Sequence, residues 1–216
     1  MQILLVAATE PEIAPFLQEK QQVDFLITGV GCPVTIYHLT KRLQQIDYDL
    51  VIQAGIAGSF DQSMPLGEVL LVRQDNFADV GISEKDHFHT IFEKGFADGN
   101  SFPFTNGWLN SNGALADRFT LQKVKAITVN TVTDNKIQID QLVEKYDPQI
   151  ESMEGAALHY VCLQENIPFI QVRSVSNYVG ERDKAKWNMK EAIDNLNKEL
   201  AIIINKLINA NKPINK

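Results

Sequence analysis

At 216 residues the chain is long enough for one sizeable core, and 44% hydrophobic with 22% charged residues excludes a disordered or fibrous protein. A net charge of −7 without a long Lys/Arg run removes the footprint of a protein that grips a phosphate backbone, so nucleic acid is not an expected partner. Cys32 and Cys162 are too few for a disulfide framework and lack metal-ligand spacing, no apolar stretch nears the roughly 20 residues of a bilayer span, and Met1-Gln2 lacks a basic n-region; the expectation is a single domain over 1–216, cytoplasmic, with no membrane, metal or cofactor.

In chain order, Ile3–Ala8 is a short, nearly unbroken apolar run, as a strand buried on both faces requires. Thr9 follows as an N-cap, with Pro11 and Glu12 in the first helical turn, where proline and acidic residues are favoured. A second strand is expected over Val23–Thr28. The Gly29-Val30-Gly31 that follows lacks the third glycine and the acidic residue of a dinucleotide fingerprint, and no Gly-Lys-Ser/Thr follows it, so NAD and P-loop sites are unsupported. A helix is predicted over Pro33–Gln45, with Ile36, Leu39, Thr40 and Leu43 on one face.

The strand Leu50–Ala54 is expected to end at Gly55-Ile56-Ala57-Gly58, read as a loop whose missing side chains let backbone approach a ligand. Val69–Arg73 is the next strand. Residues 77–113, rich in phenylalanine and poor in periodicity, read as a lid or subunit contact. Then come a strand at Val124–Val129, a helix opening near Glu154 that carries Ala157, Leu158, Val161 and Cys162, and a strand at Phe169–Ser174 followed by Ser176-Asn177. Arg182, Lys184 and Lys186, mixed with Glu181 and Asp183, read as a solvated face, with a local substrate-binding role as the alternative. An amphipathic helix closes the pattern over about Met189–Ile208, and the alternation of elements reads as α/β.

In α/β sheets ligands bind beyond the carboxyl edge of the strands. That rule selects Glu12, Gly55 to Gly58, Met153-Glu154 and Ser176-Asn177. Each also has a plainer reading: a carboxylate favouring a helix dipole for Glu12, a glycine turn, and a turn residue for Asn177. Glu154, in an otherwise apolar helical start, reads as a partly buried carboxylate. Such a group needs partners, and a pair of sugar hydroxyls supplies them.

Taken in order, Glu12 after an apolar strand, Gly55-Ile56-Ala57-Gly58, Met153-Glu154-Gly155-Ala156-Ala157 and Val172-Arg173-Ser174-Val175-Ser176-Asn177 resemble the purine nucleoside phosphorylase and nucleosidase family, in particular its hydrolase branch. The resemblance implies a three-layer α/β/α fold with a mixed central sheet, a small purine nucleoside as partner, and a homodimer. It implies that Glu154 binds the ribose hydroxyls, Met153 packs on the sugar, Glu12 orients water, and Asn177 meets the N7 side of the base. Ala57, Gly58, Val132, Thr133 and Ser176 complete the substrate-binding set.

Two departures narrow the expectation. The methylthioadenosine/adenosylhomocysteine nucleosidases carry Ser-Asp where this chain has Ser176-Asn177, and an amide suits a 6-oxopurine such as hypoxanthine better than adenine. Gln53 stands where related phosphorylases carry a phosphate-binding arginine, which favours water as acceptor. With Val129-Asn130-Thr131-Val132, these features resemble hydrolases that release hypoxanthine from a nucleoside with an aromatic carboxylate on its 5′ end. Phe77 to Phe104 are candidates to receive that group, with His87, His89 and Arg118 as candidate carboxylate ligands. An adenine-type nucleosidase, a phosphorylase and a silent nucleoside-binding protein stay open as alternatives.

Overall fold

The structure, a computed structural model, describes residues 1–19, 23–85, 87–111 and 113–210. Its ten strands are β1 (Ile3–Ala7), β2 (Asp24–Ile27), β3 (Leu50–Ser59), β4 (Val69–Asp75), β5 (Gly81–Glu84), β6 (His87–Thr90), β7 (Leu109–Asn110), β8 (Gln122–Thr128), β9 (Ile150–Ser152) and β10 (Phe169–Tyr178). Its helices are α1 (Glu10–Gln18), α2 (Cys32–Leu43), α3 (Gly113–Ala116), α4 (Lys136–Tyr146), α5 (Gly155–Gln164) and α6 (Met189–Ala210).

The expected three layers are present. Along β1 the side chains alternate between two cores: Ile3, Leu5 and Ala7 face Ile13 and Phe16 of α1 and Leu196, Leu200 and Ile203 of α6, while Leu4 and Val6 face Leu39 and Leu43 of α2 and Leu158, Val161 and Cys162 of α5. A strand buried on both faces has no polar side, which explains the unbroken apolar runs in the sequence. Fully burying each such Leu or Ile contributes about 1.5–3 kcal/mol.

The eight-stranded sheet is mixed, in the order β10-β4-β8-β9-β3-β1-β2 with β7 on β4. β10 also pairs with β3, so β3, β10, β4, β8 and β9 close into a ring. Its interior holds Ala57, Leu70, Val72, Val124, Ala126, Ile150 and Val175.

Two sequence expectations are corrected by this ring. Gly55 to Gly58 do not form a loop: β3 continues through them to Ser59, paired in parallel with β10 from Val51↔Phe169 to Ser59↔Tyr178. For the same reason Ser176 and Asn177 lie inside β10 rather than after it. Long-range pairing overrides the weak strand preference of Gly, Ala, Ser and Asn. The ladder slips between Val175 and Asn177, where a bulge locally re-aims the side chains of β10.

One contact ties the ends of the chain together. Buried Asn197 of α6 accepts from the backbone N–H of Phe16 at 3.0 Å and donates to the carbonyl of Glu12 at 2.9 Å. Its amide thus stands between two groups that an α-helix would otherwise pair with each other, and it fixes the turn of α1 that carries Glu12.

Candidate active site

A cavity of about 530 Å³ opens past the end of β1 and along the C-terminal halves of β3 and β10. All nine residues expected at a site line it: Glu12, Ala57, Gly58, Val132, Thr133, Met153, Glu154, Ser176 and Asn177.

Glu12 stands in the first turn of α1, as expected for a carboxylate that favours the helix dipole, but it is buried rather than on the surface. It is the third residue of α1, and its Oε2 accepts from the backbone N–H of Thr9 at 2.9 Å and from Thr9 Oγ1 at 2.8 Å, the reciprocal half of a capping box. Its Oε1 accepts from the backbone N–H of Ile56 at 3.2 Å. The helix cap therefore presents a carboxylate, 7% exposed, to the cavity.

Glu154 occupies the N-cap position of α5, its side chain free of the helix N–H groups. Its Oε1 accepts from the N–H of Gly31 at 3.0 Å, and its Oε2 lies 3.6 Å from Nη1 of Arg173, an ion pair with both side chains buried. Burial raises the Glu154 pKa, and the Arg173 guanidinium opposes that shift. Arg173 is in turn held by Gln53 Oε1 at 2.9 Å and by the carbonyl of Ile56 at 3.3 Å. Gln53 is 1% exposed and lies behind this pair, outside the cavity lining.

Glycine is required at two points. A Cβ on Gly55 would sit 2.5 Å from Arg173 Nη1 and 2.9 Å from Glu12 Oε1. The residue type thus lets three charged side chains converge, rather than making a turn. A Cβ on Gly155 would lie 2.2 Å from both Asp75 Oδ2 and Gln171 Nε2, so the Gly-Ala-Ala after Glu154 seats α5 directly on the strands.

At the far wall, Asn177 Oδ1 accepts from Ser176 Oγ at 2.8 Å, and Ser176 Oγ also lies 3.3 Å from the carbonyl of Ala57. One N–H of the Asn177 amide donates to the carbonyl of Tyr178 at 3.0 Å. Its nitrogen would be 3.4 Å from a Cβ on Gly58. Two carboxylates on helix starts, a buried arginine behind one of them and an amide opposite suit a polyhydroxylated ligand carrying a flat base.

A family model for the phosphorylase superfamily matches residues 16–209. The chain belongs to the phosphorylase superfamily. Among curated members, a futalosine hydrolase from Streptomyces coelicolor is 29% identical over 176 residues, covering 79% of this chain and 73% of its relative. Among solved structures, a 5′-methylthioadenosine/S-adenosylhomocysteine nucleosidase from Neisseria meningitidis in complex with methylthio-immucillin-A superposes with a TM-score of 0.79 at 18% identity, over 95% of this chain and 99% of the other. The native futalosine hydrolase of Helicobacter pylori gives a TM-score of 0.77 at 16% identity, over 95% and 98%. At these identities the superpositions establish the superfamily fold with its mixed sheet and leave the substrate open.

Other expectations do not meet at the superfamily cavity. None of Phe77 to Phe104 lines it. Phe92 packs edge-on against Phe104, and Phe77 and Phe104 pack on Tyr160, so these rings form an aromatic cluster of their own. His87 and His89 border a different cavity with Glu93, Gln141, Glu144 and Lys145, and Arg118 is absent from the lining. The cluster read as a solvated face is instead divided. Lys186 pairs with Glu181 at 2.7 Å in solvent, while Glu181, Arg182 and Lys184 border the cavity mouth.

Sequence reasoning assigned no role to Arg173 or Glu151, both buried around the site. Arg173 stood in a motif already singled out, and an arginine within an apolar strand was a usable signal. Glu151 likewise opens the segment that runs on to Met153-Glu154 and Ala157, but nothing in that segment marks a role for it. Among the described residues, no helix is long and apolar enough to cross a membrane.

Proposed function

We propose that this protein hydrolyses the N-glycosidic bond of futalosine, releasing hypoxanthine and dehypoxanthine futalosine, a step of menaquinone biosynthesis. The observation that carries the reading is the meeting of Glu12, Glu154 and Asn177 in one cavity, in a chain with 26–29% identity to three futalosine hydrolases.

Cleavage at C1′ builds positive charge on the sugar and negative charge on the base, so the enzyme must hold the ribose, deliver a nucleophile and stabilise the departing purine. In our reading Glu12 takes a proton from water as the water attacks C1′. Its Oε2 is held by Thr9, so the carboxylate is oriented before substrate arrives. Glu154, steadied by Arg173 and the Gly31 N–H, accepts from the 2′ and 3′ hydroxyls, and Met153 packs on the sugar. Asn177 donates its second amide N–H to the base. Ala57, Gly58, Val132, Thr133 and Ser176 form the walls around the base. The homodimer is part of the same proposal. Gln53 argues for water over phosphate: its amide is engaged by Arg173 and offers no free cation where the phosphorylases place arginine.

The test is incubation of purified protein with futalosine, methylthioadenosine and inosine, with and without phosphate, and identification of the released base. Hypoxanthine from futalosine without phosphate is the expected result. Faster adenine release from methylthioadenosine overturns the substrate, and dependence on phosphate overturns the hydrolase.

A further inference from the structure

Glu151, on β9, lines the same cavity and is 7% exposed. Its Oε2 is buried without a hydrogen-bond partner among the described residues. A buried carboxyl oxygen left empty is costly unless a ligand fills the gap. In the antiparallel β3–β9 ladder Glu151 stands opposite Gly58, which has no side chain to separate it from Asn177. A Cβ on Gly58 would lie 3.2 Å from Val179 Cγ2, 3.4 Å from Asn177 Nδ2 and 3.5 Å from Glu151 Cγ, so the stem of Glu151 and the amide lie on either side of one point beside Val179.

The remaining titratable groups of the cavity are committed elsewhere. Both oxygens of Glu12 accept hydrogen bonds, and Glu154 holds Gly31 and Arg173. Glu181 pairs with Lys186, which keeps it below the usual carboxylate range. Arg182 and Lys184 are cations at the mouth. The strand neighbours of Glu151, Gly58 on β3 and Ile127 on β8, carry no charge. Burial pushes the Glu151 carboxyl up to about 7, opposed by the charge of Arg182.

Asn177 donates a hydrogen bond but cannot surrender a proton at neutral pH. Resting on the nucleoside-hydrolase reading above, we propose that Glu151 is a catalytic residue of the base pocket, the acid that protonates the leaving purine. The proton on Glu151 passes to N7 as the C1′–N9 bond breaks and its electron pair moves into the ring, so the base departs neutral. Water oxygen bonds to C1′ and its proton passes to Glu12. Glu151, left as carboxylate, and the protonated Glu12 then exchange with solvent, and one water has been consumed overall. A general acid works best with its pKa near the operating pH, as burial arranges here.

The experiment is the pH dependence of kcat/KM for hypoxanthine release by wild type, Glu151→Gln and Glu151→Asp. Wild type is expected to lose activity as pH rises through about 7, where the acid ionises. Glu151→Gln should be about 100-fold slower at pH 6 and lack that alkaline limb, because a lost general acid typically costs 10²–10⁴. Glu151→Asp keeps the proton one methylene farther away and should fall between them with the limb retained. Glu151→Gln within threefold of wild type, an alkaline limb that survives in it, or Glu151→Asp no faster than Glu151→Gln overturns the acid. If active wild type accompanies any of these, only the acid falls; wild type that releases no base from any purine nucleoside removes the hydrolase reading and the acid with it.

Discussion

On the function proposed above, the cavity has a sugar end and a base end, and the two treat a buried carboxylate differently. At the sugar end all four carboxylate oxygens of Glu12 and Glu154 have partners: Thr9, Ile56, Gly31 and Arg173. At the base end Glu151 keeps an oxygen with none. Burial raises the Glu154 carboxyl, but Arg173 and the Gly31 N–H oppose that shift and keep the group aimed, which suits holding hydroxyls. An unpartnered carboxylate in the same dielectric holds its proton to higher pH, which suits giving that proton away. The same residue type thus supplies anion and acid within one pocket, and its neighbours decide which.

The largest way to break this contrast is at the sugar end. Glu12→Gln keeps the shape of the cap but loses the base, so kcat should fall by about 10²–10⁴ while calorimetry finds substrate affinity nearly unchanged; an equal loss of affinity would mean Glu12 holds substrate instead. Next is Gly55→Ala, whose added methyl meets Arg173 and Glu12 at under 3 Å. Overpacking of this kind costs about 1–3 kcal/mol. Denaturant melts should detect that loss, and kcat should drop with it; unaltered melts and rates would mean the three side chains are not held as described.

At the base end, Asn177→Asp should move selectivity toward adenine nucleosides by roughly tenfold, the size of one changed hydrogen bond in a buried site. Unaltered ratios of adenine to hypoxanthine release would sink the base-reading role of Asn177.

A separate effect is on stability. A carboxyl raised in the folded state from 4.5 to about 7 contributes favourably below its unfolded value, and that contribution is lost as pH rises through 7. Glu151→Gln removes the burden. The variant should match wild type in thermal melts near pH 4.5 and exceed it at pH 8 by up to about 3 kcal/mol. Equal melting at both pH values would mean Glu151 is not the strained group at the base end.

Much of this architecture is legible in the chain. Strands buried on both faces leave an apolar run, Thr9 with Glu12 three residues on marks a helix start, and the hydrophobic stripe of α6 follows its period. The far halves of β3 and β10 leave no such trace, because Gly55 to Gly58 and Ser174 to Asn177 become strand by pairing with each other. β9 has three residues, too few for a period. The helix α4 was missed although Asn135 caps it by accepting from Ile137 and Gln138. Glu12, Glu154 and Asn177 were found because they sit in motifs. Glu151 heads the same segment as Glu154 but showed no role there, because its nearness to Asn177 depends on which residue faces it across a ladder, and local sequence does not state that.

The clip formed by Asn197 has a consequence for the order in which the molecule matures. The amide that fixes the turn bearing Glu12 belongs to α6, some 180 residues later in the chain. During synthesis α1 and its Thr9 cap emerge early, while the amide that bridges the Glu12 carbonyl and the Phe16 N–H is made only with α6. The backbone turn that carries Glu12 is thus tied to a residue made near the end of synthesis.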